Sequence, residues 1–353
     1  IMIVKQLSGQ IIFFLVPLII LGFVAPSIAR LKSNASRLLL FAFGIAYLSS
    51  VGAASFGAIV GYQLIPSLQI EPTTEGLREA PAMLFNIEIP PVMNVMSALV
   101  LSVFVGLSTS WVRSEQMERL LDTFQQMVLR LVERVLMPLL PLFIAANFCV
   151  LSYEGALTKQ LPIFLSVLVV VIGCHYLWLA LLYGLASLYS KQNSWRVLRH
   201  YGPAYLTALG TMSSAATLGT SLTCAGRSPL LRKEIIDVMV PLFSNIHLCG
   251  SILTETFFVM TVSQVLYGYL PDPTTMAVFI LLLGLFAIGA PGVPGGTVLA
   301  SLGLIISIVG FDEAGTALLL TIFALQDSFG TACNVTGDGA LTLIVDTFEK
   351  KSN

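Results

Sequence analysis

Residues 11–29 carry no charged side chain, and an apolar run of that length cannot be left in water. Similar runs occupy residues 38–66, 96–112, 135–153, 161–189 and 276–311. Each is near or above the ~20 apolar residues with which a helix crosses a bilayer. Core helices of soluble proteins are shorter and keep a polar face. Composition agrees: 56% of the 353 residues are hydrophobic and 10% are charged, against about 25% charged in a soluble domain. The chain therefore reads as an all-α polytopic membrane protein. Its net charge of −1 gives no basic footprint for nucleic acid. Cys149, Cys174, Cys224, Cys249 and Cys333 contain no CxxC pair, so neither a disulfide framework nor a zinc site is indicated.

Positive charge sets an orientation. Lys and Arg gather in alternate connections: Arg30, Lys32 and Arg37; Arg113, Arg119, Arg130 and Arg134; Lys191, Arg196 and Arg199; Arg227, Arg232 and Lys233; Lys350 and Lys351. The connections between them hold chiefly Arg78 and Lys159. Cationic loops stay in the cytoplasm, so the first span runs from outside to inside. The chain also opens Ile1-Met2. Both points lead to the expectation that a further helix precedes it.

Two segments do not read as simple spans. Residues 191–227 are polar at both ends, with Gly210-Thr211-Met212-Ser213-Ser214-Ala215-Ala216-Thr217-Leu218-Gly219 in the middle. Residues 272–313 are apolar but broken by Ala290-Pro291-Gly292-Val293-Pro294-Gly295-Gly296. Pro and Gly interrupt a helix, and freed backbone at membrane depth must be buried in protein or line a cavity. Two helix–break–helix hairpins entering from opposite sides fit both segments, and such interrupted pairs point to a transporter's binding site. Ordinary kinked spans are the plainer alternative.

Polar side chains at membrane depth gather in two later segments. Within residues 318–345, Asp327, Thr331, Asn334 and Asp338 follow one another at spacings of four, three and four, which puts them on one helical face. An intramembrane carboxylate is a functional hypothesis by default. Two carboxylates and an amide form a hard-oxygen set suited to a small cation or a substrate ammonium; the plainer alternative is hydrogen-bonded glue between helices. Within residues 235–265 lie Asn245, His247, Cys249, Ser251 and Glu255, with Gly250 placed to interrupt the helix and free carbonyls. His247 and Glu255 can each exchange a proton and are the proton-coupling candidates.

Leu325-Gln326-Asp327-Ser328 through Asn334-Val335-Thr336-Gly337-Asp338 resembles the last helix of the dicarboxylate/amino acid:cation symporters, the glutamate-transporter-like family. The resemblance covers nearly the whole chain. Residues 289–296 resemble the outer hairpin tip, residues 213–218 the serine-rich inner tip, and residues 241–251 the unwound helix between them. Tyr47-Leu48-Ser49-Ser50 resembles a polar patch on an earlier helix. The Leu-Gln-Asp-Ser stretch is nearest to the serine/threonine branch. The resemblance implies two re-entrant hairpins, near 197–226 and 273–311, and an absent first family helix. It implies scaffold helices over residues 1–112, partly at the interface with the transport domain. Scaffold and linker helix follow over 113–160 and the transport domain over 161–349. It implies a homotrimer in the cell membrane, read as a bacterial inner membrane, working as an elevator.

The implied roles attach to particular residues. Asp327 would bind a substrate amino group. Backbone near Ser213, Ser214 and Val293 would hold its carboxylate, and Ser251, Gly330, Thr331 and Asn334 would complete the substrate site. Asn334, Asp338 and His247, with the carbonyls of Phe243 and Asn245, would hold a cation. Sodium is the candidate coupling ion, and no tightly bound cofactor is expected. Acidic-substrate members carry an arginine where this chain has Gly330, so a neutral or small polar amino acid is expected, with an acidic substrate as the alternative. His247 and Cys249 replace an Asn and an Asp of the unwound helix, and Ala46 replaces a tyrosine of a cation site. Ala287 and Ala290 replace two hydroxyl positions of another. These departures predict reduced sodium stoichiometry with proton coupling through Glu255 or His247, or else altered or lost coupling. A channel or receptor on the same fold is a second class. An enzyme is not expected, since no GxSxG or HExxH pattern is present.

Overall fold

A computed structural model describes residues 1–32, 37–68, 89–93, 95–154, 156–290, 292 and 294–352, and among these no strand occurs. Arg78, Pro291 and Val293 lie outside the described residues. The helices are α1 (Met2–Lys32), α2 (Arg37–Leu64), α3 (Val95–Val112), α4 (Glu115–Leu131), α5 (Met137–Glu154), α6 (Ala156–Ser190) and the single turn α7 (Trp195–Leu198). They continue with α8 (Gly202–Thr211), α9 (Ser214–Gly226), α10 (Lys233–Ile246), α11 (Cys249–Val262), α12 (Pro273–Gly289), α13 (Gly296–Leu304) and α14 (Glu313–Ser352). Among the described residues, five helical stretches are long and apolar enough to cross a membrane: Met2–Pro26, Arg37–Leu68, Ile163–Ser190, Lys233–Tyr267 and Glu313–Lys351.

The two interrupted segments are helix–break–helix pairs. Their members have 10, 13, 17 and 9 residues. At 1.5 Å per residue the longest spans about 26 Å, short of the ~30 Å hydrocarbon core. Local chemistry marks each boundary. Pro203 sits in the first turn of α8, and Met212 closes that helix in the left-handed region at φ 51°. Ser213 then caps α9 by accepting the Ala216 N–H at 3.2 Å. Asp272 caps α12 ahead of Pro273, and Gly295 (φ 68°) makes the left-handed step into α13 that a side chain would resist.

The structure puts the break between α10 and α11 at His247 (φ −115°, ψ 100°) and Leu248 (φ −120°, ψ 38°), just before Gly250. Gly250 lies inside the first turn of α11 and is needed there for another reason. A Cβ on it would lie 2.5 Å from the Cys333 Cβ and the Gly330 carbonyl of α14.

Every residue of α11 is buried, and this helix is the centre of the molecule. It packs on α2 and α14, and α14 packs in turn on α6, α8 and α10. The close approach of α2 follows from its buried seam of Ala46, Ser49, Ser50, Ala53, Ala54, Gly57, Ala58 and Gly61, since small residues let membrane helices meet backbone to backbone. A Cβ on Gly57 would lie 3.1 Å from the Leu253 carbonyl.

This packing divides the expected scaffold of residues 1–112. Helix α1 packs on α3, α4 and α5, whereas α2 packs on α11 and α12. Tyr62 and Tyr47 of α2 donate to the carbonyls of Pro271 and Leu281 beside and within α12, at 2.7 and 3.2 Å. The expected scaffold of residues 1–112 thus holds two helices with different packing partners. The small residues of α2 make it a partner for α11, a property invisible in hydropathy.

Candidate functional site

Asp327, Thr331, Asn334 and Asp338 are all at most 5% exposed and lie along one face of α14. At 1.5 Å per residue the first and last are about 16 Å apart along the axis. Asp327, Asn334 and Asp338 each bond to a different neighbour. Together they form a ladder of contacts and not one cluster.

At the outer rung, Asp327 Oδ2 accepts the Gly295 N–H at 2.6 Å, so the expected ammonium-binding carboxylate touches the tip of the α12–α13 pair. At the middle rung, Asn334 Oδ1 accepts the N–H groups of Gly250 (2.7 Å) and Ser251 (3.2 Å), and its Nδ2 donates to Ser251 Oγ at 2.8 Å. The first N–H groups of a helix have no partner within it, and Leu248 has no side-chain acceptor to offer α11. Asn334 supplies that cap from a different helix. At the inner rung, His247 Nδ1 lies 2.9 Å from Asp338 Oδ1, while Nε2 lies 2.9 Å from Ser49 Oγ of α2.

The two tips meet each other. Ser213 Oγ donates to the Gly292 carbonyl at 2.7 Å, and the Ala215 N–H approaches the same oxygen at 3.5 Å. Ser214 is buried in the first turn of α9. Val293, expected to line the same tip, lies outside the described residues. Gly330 faces α11: a Cβ on it would lie 3.1 Å from Ser251 Cα and 3.3 Å from its nitrogen.

Phe243 and Asn245, the expected carbonyl contributors, have different surroundings. The Phe243 carbonyl already accepts the His247 N–H at 2.9 Å. Asn245 is exposed, bonds to the Pro241 carbonyl at 2.8 Å and lines a cavity of about 610 Å³ shared with Gly292, Phe23 and Glu133. Glu255 is fully buried one turn beyond Ser251 and accepts from Ser301 Oγ of α13. Among the described residues no group of three or more His, Cys, Asp or Glu side chains is gathered to hold a metal ion.

Four participants escape the sequence reading. Gly295 and Gly292 act through backbone atoms, which no residue type advertises. Ser301 is one hydroxyl in an apolar helix. His175 had a signal, an imidazole inside the run of residues 161–189. It bonds to the Gly250 carbonyl at 3.0 Å and Thr254 Oγ1 at 2.9 Å, bracing the start of α11 from α6.

The model of the sodium:dicarboxylate symporter family matches residues 2–348. Excitatory amino acid transporter 2 of Mus musculus is 26% identical over 254 residues, 70% of this chain and 43% of the relative. Neutral amino acid transporter B(0) of Mus musculus is 26% identical over 271 residues, 74% and 48%. An excitatory amino acid transporter of Caenorhabditis elegans is 28% identical over 161 residues, 46% and 32%. The chain thus spans less than half the length of these curated relatives.

Proposed function

Because this chain belongs to the sodium:dicarboxylate symporter family, we propose that it is a multi-pass carrier that moves a small neutral or polar amino acid across the membrane with a coupling cation. The observation that carries the reading is Asp327. It is a 95%-buried carboxylate that accepts a backbone N–H of a hairpin tip. A buried carboxylate calls for a positive partner, and a substrate ammonium supplies one where a plain dicarboxylate cannot. The names of the relatives include both excitatory and neutral amino acid transporters at equal identity, so similarity does not choose the substrate. Gly330 favours the neutral one, because it offers no cation to a second substrate carboxylate.

In this reading the α8–α9 and α12–α13 pairs are re-entrant hairpins whose tips gate opposite sides of the membrane. The moving body contains both hairpins with α2, α6, α10, α11 and α14, and it travels as an elevator against α1, α3, α4 and α5. Three copies make the working unit. Sodium is co-transported, and Glu255, held to the second hairpin through Ser301, is the group through which a proton couples to hairpin closure.

A thermal-shift screen of the detergent-purified protein tests this. Amino acids and dicarboxylates are compared in sodium, potassium and choline salts at two pH values. A neutral amino acid is expected to raise the melting temperature in a cation-dependent way, and Asp327→Ala is expected to remove the effect. Stabilisation by aspartate would favour the acidic reading, and an Asp327→Ala protein with undiminished response would reject the assigned role.

A further inference from the structure

His247 sits at the break between α10 and α11, where its extended backbone turns the side chain off the helical path and into α14. Its ring is fixed from several directions. Asp338 Oδ1 lies 2.9 Å from Nδ1 and Ser49 Oγ lies 2.9 Å from Nε2. A Cβ on Gly337 would lie 2.9 Å from Cε1, so the missing side chain there makes room for the imidazole. The Phe243 ring stands edge-on at 6.4 Å. Both members of the pair are at most 1% exposed.

Two of the oxygen atoms expected to serve a cation beside Asp338 are already engaged. Asn334 Oδ1 holds two backbone N–H groups of α11. The Phe243 carbonyl holds the His247 N–H. Asp338 Oδ2 is buried without a hydrogen-bond partner, but one oxygen is not a site for a hard cation, which takes several oxygen ligands at once.

We infer that His247 occupies the place of a coupling cation: its imidazole is a tethered partner for Asp338, and no sodium ion travels at this subsite. The inference rests on the carrier reading above, and it places any co-transported sodium elsewhere in the moving body. A free ion has to be collected and released in every cycle. A side chain stays on the carboxylate throughout, so the pair keeps the inner end of α14 bound to α2 and α10 in both loaded and empty protein.

The test is a sodium titration against choline at constant ionic strength, read by thermal shift, on the unaltered protein, His247→Asn, Asp338→Asn and His247→Asn/Asp338→Asn. Removing the ring while leaving an amide oxygen should open the site. His247→Asn is expected to bind sodium at least about tenfold more tightly than the unaltered protein, and the added Asp338→Asn change to abolish that gain. A folded His247→Asn protein with no gain would overturn the inference. So would a sodium response of the unaltered protein that Asp338→Asn alone removes. If the variants do not fold, ring-¹⁵N-histidine spectra of the unaltered chain decide, because it has three histidines to assign. The His247 signals should stay put when sodium replaces choline, and a sodium-specific shift would mean that an ion displaces the ring. Failure of the carrier reading shows separately, as no amino acid stabilisation in any salt.

Discussion

Gly330 is held between two demands. Its lack of charge argues for a neutral substrate, but its lack of a side chain is also required by packing, since the Ser251 backbone lies 3.1 Å from where a Cβ would be. Ser251 in turn donates its N–H to Asn334 at 3.2 Å, so pressure at 330 is felt at the cap of α11. Gly330→Ala is expected to destabilise by roughly 1–3 kcal/mol, the usual cost of overpacking, and to weaken amino acid binding as well. Thermal unfolding with and without substrate checks both. Gly330→Arg supplies the missing cation but cannot avoid the clash. A lower melting temperature that aspartate partly restores is the expected outcome, and a variant as stable as the parent would show that this contact is not tight.

At the scale of the element, both helix–break–helix pairs use side-chain caps to start a helix. Asp272 starts α12 by accepting the N–H groups of Thr274 (2.9 Å) and Thr275 (3.0 Å), and the Thr275 hydroxyl also donates to it. The Thr275 hydroxyl, followed by these backbone bonds, holds its carboxyl below the usual carboxylate range. The folded state therefore binds the proton less readily than the unfolded chain does. The stabilisation is complete above the unfolded pKa and is lost as pH falls through the depressed folded value. Asp272→Ala is expected to lower the melting temperature near neutral pH and to have little effect in acid below the carboxylate range. A destabilisation independent of pH would assign the loss to packing. At the other hairpin, Ser213 caps α9 and ties the two tips together.

At the scale of the molecule, the proposed carrier cycle has the two tips part to admit substrate. A Cβ built on Gly292 lies 3.8 Å from the Ala215 Cβ, inside the ~3.5–4.5 Å range of natural disulfides. In a background with the exposed Cys149 replaced by Ser, Ala215→Cys/Gly292→Cys is expected to cross-link under mild oxidation. Proteoliposome uptake should then stop and should return with reductant. Uptake that continues in the fully cross-linked protein would rule out tip separation as a step.

Sequence by itself determined the class of solvent, the helical content, the two interrupted segments and the polar face of the last helix, because each is a property of residues near one another in the chain. Length without charge demands a bilayer, Pro and Gly break helices wherever they fall, and a spacing of four and three puts side chains on one face. Tertiary structure alone decided which partner each of those side chains meets. Asn334 caps a helix it does not belong to, His247 reaches Asp338 across 91 residues, and Gly250 is a contact glycine beside a break made by its neighbours. Helix α2 sits on α11 and α12 because its small residues match their surfaces, and a hydropathy pattern holds no record of which surfaces match.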